Sequence, residues 1–268
     1  MTQIHHNVLT PDEIQTLLDW FNSNDRLVDD RLDVRSKTPD WNSDTWPRHL
    51  VKKVLDQVLT DPYRVEVVLF YGSRISFKLH TDSGNGDGEP LYKNVIIPLL
   101  VEGPATTVIF DNYWSGPHTR FGKTPQSPFV YSLPDRHGNL QHIADIRILL
   151  KQCCEHPHTV DAFVVDDEFI NNLRRLVDIR SGQQGRVPDG FQTDYTNVTN
   201  YDPSLQFDAK LHEQYLSHVP IENLHGLTLD TVAEWHPGQA ITFDRGQLHC
   251  AGNGHKFKIG ISIFTYRY

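Results

Sequence analysis

The sequence has no long hydrophobic run and few cysteines, and both absences bear on where the protein works. No stretch of about eighteen consecutive apolar residues occurs in the 268 residues, so we expect no membrane-spanning helix. The first residues also lack the basic start and apolar core of a signal peptide. Three cysteines, Cys153, Cys154 and Cys250, are an odd and sparse set that does not form a disulfide framework. A reducing cytoplasm is therefore the expected location.

An excess of basic residues is also missing. The chain has 25 Lys and Arg against 34 Asp and Glu, which gives a formal net charge of −9 at pH 7. This balance disfavours broad electrostatic binding to nucleic acid or anionic membranes, so we expect neither partner. The length is sufficient for one large domain with a sizeable core. Nothing in the composition indicates an oligomeric state.

Helical signals come first along the chain. Thr10-Pro11-Asp12-Glu13 supplies an N-cap, a proline at the first helical position and a capping-box glutamate, which together predict a helix. A second helix is expected over 47–59. The charged stretch 25–46 between them is interpreted as a loop, so residues 1–62 form an N-terminal helical part.

Strand signals dominate two later blocks, 63–111 and 227–268. The predicted strands are 64–71, 75–79, 92–101, 106–110, 227–235, 239–244 and 257–266. In the last of these, Phe257, Ile259, Ile261 and Ile263 alternate with Lys258, Gly260 and Ser262, as expected for a strand with two different faces. Helices followed by many short strands favour a mainly β fold with flanking helices, either a β-sandwich or a jelly roll.

Residues 112–226 separate the two strand blocks. Helices are expected near 142–153, 167–178 and 208–217, between loops rich in proline, glycine, asparagine and aspartate. A connection of this length inside a compact domain usually has a function. We therefore interpret it as a partly helical insert in a single domain, 1–268, where it forms a substrate lid or wall.

His80 and Asp82 are the first candidate site residues. They end the predicted strand Tyr71–Asp82, and because residues i and i+2 project to one face of a strand, the imidazole and the carboxylate can converge. His249, which follows a strand of the second block, is the candidate third ligand. Two histidines and one carboxylate with open coordination positions form the donor set of non-heme Fe(II) oxygenases. The strands on either side of the insert must pair for the two histidines to meet.

Lys258 lies nine residues beyond His249, on a strand face otherwise made of glycine and serine. A lysine that points into a barrel is costly unless an anion pairs with it, so this position suggests a bound dicarboxylate. Simpler alternatives stay open. Lys258 could be an exposed surface lysine, like Lys256, which would project from the same face of the chain. Asp82 could simply begin a turn, with His80 as a half-buried polar residue beside it.

The two strand blocks resemble the Fe(II)/2-oxoglutarate-dependent oxygenases, in particular the prolyl-hydroxylase-like and phytanoyl-hydroxylase-like branches. The resemblance covers 63–111 and 227–268, together with a family-like N-terminal helix. The residues that carry it are Phe70-Tyr71, His80-Thr81-Asp82-Ser83-Gly84, Tyr92–Leu100, Trp235–Asp244, Leu248-His249 and Lys258–Phe264.

This resemblance implies a double-stranded β-helix, which is a jelly roll of the cupin type, with Fe(II) held by His80, Asp82 and His249 at its mouth. It also implies an oxidation rather than a halogenation, because the iron halogenases of this family have a small residue where this chain has Asp82.

The resemblance further implies that 2-oxoglutarate is the cosubstrate. Lys258 would bind its distal carboxylate, and Tyr71 and Asn94 would contact it from strands that line the same pocket. The implied reaction couples decarboxylation of 2-oxoglutarate by O₂ to hydroxylation of a small molecule, an amino acid or a peptidyl residue, with release of succinate and CO₂. The substrate itself is not indicated by any motif.

Two other functions remain open: a cupin-like metalloenzyme that does not use 2-oxoglutarate, and a non-catalytic jelly-roll binding module. Lys258 discriminates between the oxygenase and these two alternatives, because binding of a dicarboxylate cosubstrate needs this lysine and the other two functions do not. Cys153–His158 has the wrong spacing for a zinc site and is interpreted as a loop. Cys250 is interpreted as a small buried strand residue, and Trp114 and Trp235 as core.

Overall fold

The computed structural model of the chain describes residues 1–23, 27–29, 34–83, 90–114, 120–121, 131–143, 146–180, 192–193, 195 and 198–268. The helices are α1 (Pro11–Ser23), α2 (Arg48–Val58), α3 (Ile146–Glu155), α4 (Asp167–Arg180) and the short α5 (Ala209–Leu211), which continues into a π-helical turn at His212–Leu216. Short 3₁₀ turns lie at Pro157–Thr159 and Ile221–Asn223. Within the described ranges, no helix has the length and apolar character needed to cross a membrane.

The strands are β1 (Gln3–His5), β2 (Leu27–Asp29), β3 (Val34–Lys37), β4 (Tyr63–Ser73), β5 (Leu91–Glu102), β6 (Thr106–Tyr113), β7 (Arg120–Phe121), β8 (Tyr131–Pro134), β9 (Leu140–Ile143), β10 (Gln192–Thr193), β11 (Leu229–Glu234), β12 (Ala240–Asp244), β13 (Gln247–Ala251) and β14 (Phe257–Arg267). A larger sheet has the order β1-β12-β5-β14-β4-β3-β2, and a smaller sheet has the order β11-β6-β13. The pairs β7–β10 and β8–β9 belong to the insert.

The strand pairing confirms the double-stranded β-helix. His80 pairs with His249 of β13, so the chain around His80 adds a fourth segment to the smaller sheet. The barrel therefore has two layers of four segments each, β12-β5-β14-β4 and β11-β6-β13-His80. In chain order these segments are β4, the His80 segment, β5, β6, β11, β12, β13 and β14. Eight segments arranged in two such sheets form a jelly roll.

Each face of the larger sheet has its own apolar cluster. Helices α1 and α2 pack on the outer face, where Ile259, Ile261 and Ile263 of β14 contribute to the core. The inner face packs against the smaller sheet. Gly260 belongs to this inner face, where an added Cβ would lie 2.8 Å from the Trp235 ring. The predicted alternation of β14 is therefore confirmed, and its polar face points into the barrel.

Helix α1 begins at the predicted capping box. The Thr10 N–H donates to Glu13 Oε2 at 2.8 Å, and the Glu13 N–H donates to Thr10 Oγ1 at 3.3 Å. These two bonds satisfy N–H groups that the first helical turn leaves without intrahelical partners. The prediction for α2 is also confirmed, and its buried stripe is Leu50, Val51, Val54, Leu55 and Val58.

Two local predictions before the site are wrong. Residues 25–46 contain β2 and β3 rather than a loop alone, and β3 pairs with β4 through Ser36 and Tyr71. Their charged composition concealed them, as is common for strands near a sheet edge. The predicted strand 75–79 does not form, because the Ser73 hydroxyl bonds both the N–H and the carbonyl of Ile75 and turns the chain out of the sheet.

The described part of the insert packs on the outer face of the smaller sheet. Its buried residues include Phe121, Leu133, Ile146, Leu149, Leu173 and Tyr195, and they share a cluster with Val108, Phe110 and Leu248 of the sheet. The predicted helices are present with shifted ends, and the hairpin β8–β9 occupies the start of the first one. The role of 112–226 as a substrate lid stays a prediction, since 115–119, 122–130 and 181–191 lie outside the described residues.

The capping box provides a test of the N-terminal helical part. We expect Thr10→Ala to lower the free energy of unfolding by about 1 kcal/mol, because the Glu13 N–H loses its acceptor. Urea denaturation followed by circular dichroism measures this change. Thr16→Ala is the matched control, since the Thr16 hydroxyl donates to the Asp12 carbonyl within the helix and caps nothing. Equal losses in both variants would show that the cap does not stabilise α1.

Candidate metal centre and anion pocket

Backbone pairing brings the two candidate histidines together. The His80 N–H donates to the His249 carbonyl at 3.0 Å, and the His249 N–H donates to the His80 carbonyl at 2.9 Å. Residues that exchange both bonds lie directly opposite each other, with their side chains on one face. The two imidazole centroids are accordingly 4.3 Å apart. The expectation that His249 follows a strand is wrong in detail, because it lies inside β13.

Asp82 joins the pair although its segment is not a regular strand. The chain from Leu79 to Ser83 alternates: Leu79, Thr81 and Ser83 are buried at 0–1% exposure on the other side, while His80 and Asp82 face the interior. Asp82 Oδ2 lies 3.0 Å from His249 Nε2, and Asp82 Oδ1 lies 3.8 Å from His80 Nε2. The i, i+2 argument therefore predicts the direction of these side chains correctly without regular secondary structure.

Both histidines present the same ring nitrogen to the carboxylate. His80 Nδ1 lies 2.6 Å from the Lys78 carbonyl oxygen, and His249 Nδ1 lies 3.0 Å from the Gln247 carbonyl oxygen. A carbonyl can only accept, so each Nδ1 donates its proton to the backbone, and Nε2 is the ring nitrogen that faces Asp82. Such an outer hydrogen bond is the usual way in which a protein fixes a metal-binding histidine.

The residues present fit a first-row metal ion. One ligand atom from each of His80, Asp82 and His249 lies within 4.8 Å of the others. Two ligand atoms that bind one ion through bonds of about 2.0–2.2 Å lie at most about 4.4 Å apart. Small movements of the three side chains would therefore bring their ligand atoms to a shared ion. Among the described residues, this is the one group of three or more such side chains that could hold an ion. The donor set is that of non-heme Fe(II) oxygenases.

Asn94 takes a different position from the one expected. Its side-chain N–H₂ donates to Asp82 Oδ2 at 2.5 Å, and the residue is fully buried. It orients the carboxylate and is not among the residues that line the cavity. Its contact with a cosubstrate stays a prediction, and the geometry supports a role in holding Asp82.

A cavity of about 240 Å³ connects the histidines to Lys258. Residues of both sheets form its wall: Ser36, Leu69, Tyr71, Phe77, His80, Asp82, Ile96, Thr107, Trp235, His249, Cys250, Ala251, Lys258, Ser262 and Phe264. Phe264 of β14 pairs with Asn94, the residue that hydrogen-bonds to Asp82. Lys258 lies six residues before Phe264 on the same strand and pairs with Ser73. The carboxylate ligand and the lysine therefore belong to different ends of the barrel.

Lys258 is a buried cation that keeps its charge. Its residue is 1% exposed, and burial lowers the pKa of its ammonium from 10.5 to about 8. No carboxylate of the described residues contributes to this pKa. The nearby titratable groups are Cys250, His218 and His255. Burial raises the pKa of the Cys250 thiol and lowers the pKa of the two imidazoles, so it favours the neutral form of each group. The ammonium therefore lacks a negative partner from this part of the chain.

The side chains around Lys258 can hold it without neutralising it. The Trp235 ring lies 4.5 Å from the Lys258 Nζ, a cation–π contact, and the Trp235 indole N–H donates to Thr107 Oγ1 at 2.8 Å. Tyr71 hydrogen-bonds to Ser262 beside them, and burial raises the pKa of the Tyr71 hydroxyl, so this group stays protonated. Tyr71 can therefore donate to an anion in the cavity, as a cosubstrate contact requires.

The remaining residues singled out in the sequence are not among the three candidate metal ligands. Cys250 is buried in β13, which confirms its interpretation as a small buried strand residue, and burial raises the pKa of its thiol. Cys153 and Cys154 lie in α3, so the interpretation of Cys153–His158 as a loop is wrong for its first half. Trp114 is core, as predicted, whereas Trp235 is buried but also lines the cavity.

No family model matches the sequence, and no curated protein matches it either. Several solved structures are similar. SnoK from nogalamycin biosynthesis, a non-heme alpha-ketoglutarate-dependent carbocyclase, is 10% identical with a TM-score of 0.46, over 99% of this chain and 79% of that one. A prolyl-4-hydroxylase of Pseudomonas putida is 7% identical with a TM-score of 0.40, over 100% and 92%. HygX from Streptomyces hygroscopicus, with nickel and 2-oxoglutarate bound, is 9% identical with a TM-score of 0.41, over 99% and 82%.

The three similar structures differ widely from this chain in sequence. Their identities are at most 10% and their TM-scores at most 0.46. At that distance the fold of this chain is defined by its own strand pairing, and its chemistry by its own side chains.

The buried lysine has a measurable consequence for stability. Below pH 8 both the folded and the unfolded chain carry the charge, and the lowered pKa corresponds to a cost of about 3 kcal/mol in the folded state. As the pH rises from about 8 to 10.5, only the folded chain loses the proton, so this cost disappears. We therefore expect Lys258→Met to raise the free energy of unfolding at pH 7, by up to that amount, and much less at pH 10.

Urea denaturation of both proteins at the two pH values measures the difference. Lys256→Met is the control, because Lys256 is exposed two residues away and its replacement should change stability by less than about 0.5 kcal/mol at either pH. A Lys258→Met protein that is less stable than the wild type at pH 7 would mean that the ammonium already has a strong partner.

Proposed function

We propose that the protein is an Fe(II)- and 2-oxoglutarate-dependent oxygenase that hydroxylates its substrate and releases succinate and CO₂. The observation that carries the proposal is one cavity whose wall has His80, Asp82 and His249 together with a buried Lys258 that has no carboxylate partner among the described residues. A metal centre alone would fit any cupin-like enzyme. A buried cation that costs stability is explained by a dicarboxylate ligand.

His80, Asp82 and His249 would hold the iron through two Nε2 atoms and one carboxylate. When bound, iron supplies the chemistry that couples decarboxylation of 2-oxoglutarate by O₂ to oxidation of a C–H bond. The chain's own contribution is orientation: the Lys78 and Gln247 carbonyls fix the two imidazoles. Asn94 fixes the carboxylate through its hydrogen bond to Oδ2.

Lys258 would bind the distal carboxylate of 2-oxoglutarate, with Tyr71 as a further donor. Its pKa of about 8 keeps the ammonium mostly protonated at pH 7, and the low-dielectric surroundings strengthen its attraction for an anion. The Trp235 ring restricts where the Nζ can lie. The distal carboxylate would thereby be held away from the metal ligands, which leaves the rest of the cosubstrate to reach them.

The substrate would be a small molecule, an amino acid or a peptidyl residue that enters beside the metal ligands. Leu69 and Phe264 supply apolar surface on the wall, and Ser36 of β3 adds a hydroxyl. The insert 112–226 would close over the substrate. The cytoplasmic location is part of the proposal, and it rests on three cysteines that are all free thiols.

Anaerobic titration of metal-free protein with Fe(II) and then 2-oxoglutarate tests the proposal. We expect the visible charge-transfer band of an iron–2-oxoglutarate chelate in the wild type and its loss in His80→Ala and in His249→Ala. His236→Ala is the control, because His236 is exposed and lies outside the cavity. In the Lys258→Met protein, Fe(II) should bind as in the wild type while the dissociation constant for 2-oxoglutarate rises at least about 30-fold, as expected when a buried charge pair is broken.

Each failure indicates a different function. Iron binding without the band would favour a cupin-like metalloenzyme that does not use 2-oxoglutarate. Absence of iron binding would leave a jelly-roll binding module. Succinate release that depends on Fe(II) and is lost in Lys258→Met would extend the proposal from binding to turnover.

A further inference from the structure

Arg245 is a buried charge that the sequence patterns do not single out. It follows β12 directly and is 1% exposed. Its Nη2 forms an ion pair with Glu66 Oε2 at 2.5 Å, and its guanidinium lies over the rings of Tyr266 and Phe264, at 4.7 and 5.4 Å from their centroids. A cation in such a place must be paired and hydrogen-bonded. The hydrogen bonds that Arg245 makes to other groups therefore indicate what its charge is used for.

Those bonds go to the backbone of a candidate metal ligand. Arg245 Nε donates to the Asp82 carbonyl oxygen at 2.8 Å, and the Asp82 N–H donates to the Arg245 carbonyl oxygen at 3.2 Å. The two bonds run in opposite directions and hold both ends of one residue. Arg245 is itself anchored, since its N–H donates to the Tyr92 carbonyl at 3.2 Å and its Nη1 donates to the Thr265 carbonyl at 3.3 Å.

Asp82 needs such an anchor because it lies beyond the paired part of its segment. The backbone pairing with β13 is at His80, and Asp82 belongs to no regular strand. Asn94 contacts Asp82 through the side-chain carboxylate, whereas Arg245 contacts its backbone. A shift of the backbone by even one ångström would move the carboxylate out of reach of an ion shared with the two histidines.

We propose that Arg245 is a positioning residue that sets the place of Asp82 as a metal ligand, with Glu66 fixing the guanidinium from the other side. The inference rests on the proposed function, because it takes Asp82 to be a ligand. It assigns to Arg245 a role in metal affinity and not only in folding.

Electrostatics and positioning predict opposite effects of removing Arg245. A buried positive charge near a cation site repels the cation, so its removal alone should strengthen metal binding. Loss of the two-bond clamp on Asp82 should weaken it, and changes to residues that orient metal ligands typically cost about 10–100-fold in affinity. A loss of affinity in Arg245→Met therefore cannot come from the change in charge.

The experiment measures the dissociation constant for Co(II), a spectroscopic substitute for Fe(II), on the metal-free full-length protein, together with the urea unfolding midpoint. We expect Arg245→Met to bind Co(II) about 10–100-fold more weakly than the wild type. The double variant Arg245→Met/Glu66→Leu removes both charges, so its stability should recover, because a buried ion pair can be replaced by apolar residues at little cost. Its Co(II) affinity should stay low, since the clamp on Asp82 is still missing.

Two further variants complete the design. Arg245→Lys retains a charge for Glu66 but cannot donate from the Nε position to Asp82, so it should lose affinity while it keeps most of the stability. If Arg245→Met does not fold, the Co(II) affinity of Arg245→Lys tests the positioning role instead. Arg267→Met is the matched control: Arg267 pairs with Asp61 at 2.7 Å and also lies over an aromatic ring, but it does not touch Asp82. We expect wild-type affinity for Co(II) in this control.

Wild-type affinity in Arg245→Lys, or recovery of affinity together with stability in the double variant, would overturn the inference and leave Arg245 a structural residue. In both cases the wild type still binds Co(II), so the proposed function stands. If the wild type itself does not bind Co(II) or Fe(II), the proposed function fails first and the inference fails with it.

Discussion

The backbone pairing between His80 and His249 is the interaction on which the rest of the site depends. Its two hydrogen bonds join the strand blocks on either side of the insert and place both imidazoles on one face. The irregular segment that carries His80 joins the smaller sheet through this contact and through the Ala251 N–H, which donates to the Phe77 carbonyl at 3.2 Å. The barrel and the candidate metal centre therefore share the His80–His249 pairing, and a change that disrupts it would damage both.

Buried charge is the second constraint, and the two buried cations Arg245 and Lys258 have different surroundings. Arg245 forms an ion pair with Glu66 and donates to the carbonyls of Asp82 and Thr265, so its charge is compensated within the fold. Lys258 lies against the Trp235 ring, and no carboxylate of the described residues contributes to its pKa, so its charge is left available inside the cavity. The difference separates a group that builds the site from a group that can bind an anion.

The layers around the barrel explain why so much of the chain has no direct role in the chemistry. Helices α1 and α2 cover the outer face of the larger sheet, and the described part of the insert covers the outer face of the smaller one. Both sheets are thereby apolar on the outside and free to carry polar residues inside. Strand β14 combines the two requirements, with isoleucines outward and Lys258, Gly260 and Ser262 inward.

Local patterns in the sequence were sufficient for α1 and α2, for most of the long strands, for the capping box of α1, for the two faces of β14 and for the common direction of His80 and Asp82. Each depends on residues within a few positions of one another, where period and side-chain direction follow from backbone geometry. The strands β2 and β3, the end of β4 at Ser73, and the contacts of Asn94 could not be predicted in this way. Neither could the clamp of Arg245 on Asp82, because it joins residues far apart in the chain. Only the tertiary structure decides such contacts, since they exist once β12, β5 and the His80 segment have paired in register.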